Sequence, residues 1–168
     1  TFEQYADKSD GFALRICLGL CFIYSAEGKL ELTRQTALDM LRHSQVRGLV
    51  TMECWARYFL GLVHYQWNEL GSQGPGACQE AQTYLEGVLN YRHVAILIAV
   101  RESLALLALT HALLGQATQA WQVLELMRDL DMSQNGRETE GTRCMRARLQ
   151  LLSGEIDEAG RWADAFVQ

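Results

Sequence analysis

The run Phe59-Leu-Gly-Leu-Val-His-Tyr-Gln-Trp-Asn-Glu-Leu-Gly71 decides the fold. It reads as the second half of a helix. Gly71 stands where a left-handed residue closes a helix with least strain. Within the run, Gly61 takes a side chain away from one turn, which lets a neighbouring helix approach closely. Hydrophobic runs closed by glycine recur at Gly28, Gly115 and Gly154, each followed by a second, more polar helix. A helix pair repeated four times is the signature of a solenoid.

The bulk composition agrees. A chain of 168 residues is one ordinary domain, long enough to bury about two-thirds of its unfolded surface. Half of it is apolar and only one residue is proline, which favours long helices over disorder. A net charge of -5 and the lack of any Lys/Arg-rich tract exclude a phosphate-neutralising face, so no direct nucleic-acid contact is expected. Val94 to Leu114 is apolar enough to suggest a membrane span, but Arg101 and Glu102 at its centre point to a buried helix of a soluble protein. No signal peptide opens the chain, and Thr1 in place of an initiator methionine suggests a segment cut from something longer. Five cysteines without a Cys-x-x-Cys pair imply free, mostly buried thiols in a reducing, cytoplasmic setting. No His/Cys spacing suits zinc, and no cofactor is expected.

Taken in order, Ser9 and Asp10 offer N-cap oxygens to a helix over 11–27, and its partner runs over 30–47. The second pair is 51–70 and 77–90, separated by the Gly-Ser-Gln-Gly-Pro-Gly loop at 71–76. The third is 94–114 and 117–132, with a polar loop at 133–136. The fourth is 137–153 and 156–167. Superposing the pairs brings Cys21, Gly61, Ala108 and Ala147 to one place on the first helices, and Thr33, Ala81, Ala120 and Ala159 to one place on the second. Small residues at two fixed places let paired helices cross closely. Successive spacings of 40, 47 and 39 residues on the first helices exceed the roughly 34 of the tetratricopeptide repeat. The expected fold is therefore all-α: a single domain over 1–168, a right-handed superhelix of about four tetratricopeptide-like pairs.

Tyr58-Phe-Leu-Gly-Leu-Val-His-Tyr-Gln-Trp-Asn-Glu-Leu70, Tyr91-Arg92 and Leu104-Ala-Leu-Leu-Ala-Leu-Thr-His-Ala-Leu-Leu-Gly-Gln116 together resemble the helical-repeat region of the large, ATP-dependent, MalT-like regulators of the LuxR type. Arg146-Ala-Arg-Leu-Gln-Leu-Leu-Ser-Gly-Glu-Ile-Asp-Glu-Ala-Gly-Arg-Trp162 is similar to that family's final repeats. The resemblance spans most of the chain and rests on structural positions. It implies a nucleotide-binding switch domain before such a segment and a helix-turn-helix DNA-binding domain after it. No Gly-x-x-x-x-Gly-Lys-Ser/Thr run and no basic recognition helix occur here. The implied role is thus that of the sensor segment alone.

In tetratricopeptide-like arrays the first helix of each pair lines the concave face. The register then turns Arg15, Phe22, Trp55, Tyr58, Leu62, Tyr65, Glu102, Leu109, Cys144 and Arg148 inward. Aromatic rings with a few charges suit a sugar, a small effector or a peptide. Arg15, Trp55, Tyr58, Tyr65, Glu102 and Arg148 are the candidate binding residues, and packing between helices is the competing role for the aromatic ones. The positions that carry the Lys/Asn carboxylate clamp of some tetratricopeptide adapters hold Leu18 and Phe22, which speaks against that clamp. His64 and His111 fall at equivalent places and read as packing residues. Arg101 and Glu102, set in an apolar helix, call for partners or water. No Gly-x-Ser-x-Gly, His-Glu-x-x-His or convergent carboxylate pair is present. The expected function is a non-enzymatic module that binds an effector or a regulatory protein and biases other domains of its chain. A passive scaffold or dimerisation segment is the alternative.

Overall fold

The computed structural model describes residues 2–71, 76–94 and 96–167, with side chains from 11 to 164. It is all-α: α1 (Phe2–Ala26), α2 (Leu30–Arg47), α3 (Val50–Glu69), α4 (Ala77–Leu89), α5 (Leu97–Leu113), α6 (Ala117–Asn135), α7 (Glu140–Leu152) and α8 (Ile156–Val167). No described helix is long and apolar enough to cross a membrane. The chain divides into two compact units, 1–100 and 101–168, the boundary falling inside α5. In the first unit α1 packs on α2, α2 on α3 and α3 on α4, and α1 also reaches α3. In the second, α6 packs on α7 and α7 on α8.

The turns repeat because the backbone repeats. Gly28 adopts φ 70°. Its N–H bonds Ser25 O, and the next N–H, from Lys29, reaches back to Tyr24 O at 2.8 Å. This is a Schellman closure, which satisfies carbonyls left over at the end of α1. Lys29 then turns sharply (φ -81°, ψ 63°) and α2 begins. The same pair of bonds closes α2 at Gly48, α5 at Gly115 and α7 at Gly154. The three pair-internal turns at Gly28, Gly115 and Gly154 thus share one construction. Loop residues 72–75, within the glycine-rich run, lie outside the described residues.

Helix limits differ from the sequence expectation by three residues or more at four places, one of them the start of α5, which lies at Leu97 and not at Val94. α1 starts at Phe2, so Ser9 and Asp10 lie within it instead of capping it. Gly11 does not stop it, since one internal glycine costs only about 1 kcal/mol relative to alanine. α6 continues through the polar residues Ser133 to Asn135 and stops at Gly136 (φ 66°). There Ser133 Oγ donates to Leu130 O within the helix at 2.8 Å. α7 begins only at Glu140, because Thr139 is held in an extended conformation (ψ 161°).

All eight small residues of the repeat register are buried. Gly61 shows why size matters. A Cβ built there would lie 2.6 Å from Leu85 Cγ and 2.7 Å from its Cδ2, so any side chain at 61 would force Leu85 of α4 to shift. The core of the first unit includes Leu14, Met40, Ala56, Phe59 and Leu60. Gly87 serves a neighbouring purpose: the Arg57 guanidinium lies where its Cβ would be. Arg57 is thereby held against Glu53, its Nε and Nη2 donating to Glu53 Oε1 at 2.9 and 2.8 Å.

Candidate interaction surface

The first unit gathers four aromatic rings from two first helices. α1 supplies Phe22, and α3 supplies Trp55, Tyr58 and Phe59. Phe22 stands edge-on to Trp55 (centroids 5.2 Å) and to Phe59 (4.9 Å). Tyr58 is edge-on to Trp55 at 5.7 Å and to Phe59 at 5.1 Å. Such arrangements set the positive edge of one ring against the negative face of another. Trp55 and Phe59 are buried, at 7% and 1% exposure, while Tyr58 is half-buried and Phe22 is 46% exposed. The cluster is therefore a core with an open rim: Trp55 packs, and Phe22 and Tyr58 are what a partner would meet.

The remaining expected binding residues lie on α1, α3, α5 and α7, two of them in the second unit. Tyr65 is buried, its hydroxyl donating to Glu69 Oε1 at 2.6 Å, so it locks the end of α3. Arg15 is exposed on α1, two turns before Phe22. In the second unit Glu102 is exposed on α5 and Arg148 on α7. Three residues of the inward register, Phe22, Trp55 and Tyr58, meet in this group, and Phe59, from outside that register, completes it.

Both histidines are engaged in packing. His64 stacks on Tyr84 (5.6 Å, 25°) and meets Trp67 edge-on. Its Nδ1 is buried with no hydrogen-bond partner among the described residues, and burial pulls its pKa down, so the ring is held neutral. His111 Nδ1 donates to Gln116 Oε1 at 2.6 Å across the Gly115 turn.

One polar cluster has no counterpart in the sequence reading. Asp131, 1% exposed on α6, uses its Oδ2 to accept three hydrogen bonds: from Thr139 N (2.8 Å), Thr139 Oγ1 (2.7 Å) and Thr142 Oγ1 (2.7 Å). Arg101 of α5 donates to Thr139 Oγ1 at 2.6 Å and lies 3.6 Å from Asp131 Oδ1. Burial acts to raise the Asp131 pKa, but the Thr142 and Thr139 hydrogen bonds and the Arg101 charge outweigh it and leave the carboxyl below the ordinary range. Arg101 has the structural ion pair its apolar setting called for, while Glu102 beside it faces outward. The cluster ties three helices together and holds Thr139 at the start of α7. Beyond Arg101 in its apolar helix, its sequence signal is a short run of Thr139, Glu140 and Thr142 eight residues beyond an aspartate, too generic to stand out.

The cysteines are all free thiols, with Cys21, Cys54 and Cys78 buried. Burial lifts Cys21 to about 12 and Cys54 to about 11, which suppresses the reactive thiolate. Partly exposed Cys144 is expected to react first with a thiol reagent at pH 8, and Cys21 and Cys54 only on unfolding. Site-resolved mass spectrometry checks this, and labelling of Cys21 as fast as Cys144 contradicts it. Among the described residues no three His, Cys, Asp or Glu side chains converge as a metal ion requires.

Searches for similar proteins found no match to this chain among protein-family models, curated proteins or solved structures.

Proposed function

We propose that this chain is a non-enzymatic sensor segment of the MalT-like LuxR type. In this reading its helix pairs form a right-handed, tetratricopeptide-like superhelix, and a small-molecule effector or a regulatory protein docks on the first-helix face. Docking would bias neighbouring switch and DNA-binding domains between two states, as any ligand does that binds one state better. The observation that carries the reading is the open rim of the aromatic cluster. Phe22, 46% exposed, and half-buried Tyr58 stand on a buried base of Trp55 and Phe59. A rigid aromatic platform loses little side-chain entropy on binding and stacks well on a sugar ring or an apolar peptide side chain. Arg15, two turns before Phe22 on α1, adds an exposed charge.

The test is a thermal-shift screen against linear oligosaccharides, amino acids and short peptides, followed by titration of any hit. Phe22→Ser and Tyr58→Leu are the informative variants, because Trp55→Ala would remove a core side chain and confound folding with binding. Each rim variant is expected to weaken a hit about tenfold or more, and circular dichroism at the titration temperature separates lost binding from lost fold. Unchanged affinity in both variants refutes the platform.

A further inference from the structure

The helix pairs share a register, but the first pair fills it differently. Cys17 of α1 matches Arg57 of α3 in the register of the first helices, and Asp39 of α2 matches Gly87 of α4 in that of the second. The third pair carries Leu104 and Leu126 at these two places, and the fourth carries Arg143 and Ala165. Each of those three pairs combines a long side chain on its first helix with an uncharged residue on its second. In the second pair the outcome is visible. The Arg57 guanidinium lies where a Gly87 Cβ would be, and the Glu53 carboxylate holds it there. The first pair reverses the choice, with a short thiol on α1 and a carboxylate on α2.

At the matching place the first pair has a cleft of about 330 Å³ between its two helices, lined by Ala13, Leu14 and Cys17 of α1 and by Asp39, His43 and Arg47 of α2. This volume is at the lower end of those that hold small molecules. The α1 side is apolar, since a free cysteine behaves as a small hydrophobe. The α2 side is charged and ordered. A spacing of four residues sets Asp39, His43 and Arg47 on one helix face, with carboxylate and guanidinium at opposite ends, about 12 Å apart at the backbone. Arg42 bonds Asp39 through Oδ1, and a carboxylate has about four acceptor sites in all. Burial, and after it the charge of Asp39, raises the pKa of the Cys17 thiol, as a carboxylate facing the same space would.

An anion at one end, an apolar floor and a cation at the other end complement a molecule of the opposite order: a cation, a short aliphatic chain and a carboxylate. Arg57 shows which cation this place takes in the neighbouring pair. We propose that the cleft between α1 and α2 binds a free arginine-type amino acid, its guanidinium on Asp39, its aliphatic chain on Leu14 and Cys17, and its carboxylate on His43 and Arg47. A planar guanidinium meets a carboxylate through two parallel hydrogen bonds, which an ammonium group cannot do. The site shares no residue with the aromatic rim and stands independently of the function proposed for it.

Isothermal titration of the wild-type chain with L-arginine is expected to show saturable one-to-one binding, with a Kd of about 1 mM or below. Citrulline, whose urea group is neutral, and agmatine, which lacks the carboxylate, should each bind about tenfold more weakly or worse. This ligand series needs no variant. Asp39→Asn should erase the advantage of arginine over citrulline, and Arg47→Gln its advantage over agmatine. Both positions are exposed, and circular dichroism at the titration temperature reports whether each variant is folded. Cys17→Leu carries the residue of the third pair into the first, so it should fill the cleft and abolish binding with both charges in place. Absence of saturable arginine binding overturns the proposal. So does equal affinity of the wild type for arginine and citrulline, or undiminished arginine affinity in folded Asp39→Asn or Cys17→Leu.

Discussion

Replacing Asp131 with alanine is expected to destabilise the second unit by about 3 kcal/mol, because it leaves the half-buried Arg101 guanidinium and the donors of Thr139 and Thr142 without their acceptor. The carboxylate is 1% exposed and serves as the common partner of α5 and the start of α7. Urea denaturation followed by circular dichroism reads this as a lower midpoint. The pH dependence separates a charge effect from a shape effect. The folded pKa of Asp131 is depressed, so its stabilisation is fully present above the ordinary aspartate value of about 3.9. It fades as the pH falls through the lower, folded value. The deficit of Asp131→Asn against wild type should therefore be constant from neutral pH down to about 4 and shrink below it. A deficit that persists unchanged in acid would show that the carboxylate acts by shape alone.

The second large effect is expected at Gly61. A valine there would drive its Cβ to within 2.6 Å of Leu85 Cγ, in a place where Leu85 is fully buried. Overpacking of this kind costs about 1–3 kcal/mol, and valine belongs at the upper end because its two branches cannot rotate out of the way. Alanine should cost less, since the clash is partly offset by about 1 kcal/mol of helix propensity. Gly61→Ala combined with Leu85→Ala is the sharper experiment. The new methyl occupies space that the missing leucine vacates. The double variant should therefore be more stable than the two single effects predict, by about 1–2 kcal/mol. Strict additivity would mean that the two residues do not touch.

These two sites show what can be read from a sequence and what cannot. The crossing at Gly61 was legible because glycine inside a strong helical run has one ordinary purpose, and three other pairs carry a small residue at the same place. The turns at Gly28, Gly115 and Gly154 were legible for a related reason: a Schellman closure asks only for a left-handed residue at one position. Asp131 was invisible because its partners come from two other helices, and nothing in the local sequence of α6 marks it. The start of α1 was misplaced because Ser9 and Asp10 are good caps, but a cap is used only where a helix must begin. Of the candidate site, the neighbourhood of Trp55 and Tyr58 was legible, and its depth was not. Periodicity placed Trp55 and Tyr58 on one side of α3. Only packing shows that Phe22 and Phe59 cover Trp55 and leave Tyr58 half open.

The account rests on successive helices pairing closely at small residues, and magnetisation transfer between Gly61 and Leu85 tests that most directly. In a methyl-labelled sample, strong cross-peaks are expected from the Leu85 δ-methyls to the Gly61 α-protons, since the space beside Gly61 is filled by Leu85 itself. Leu85 methyls that show no transfer to Gly61, and connect instead to residues of helices other than α3, would contradict the fold of paired helices.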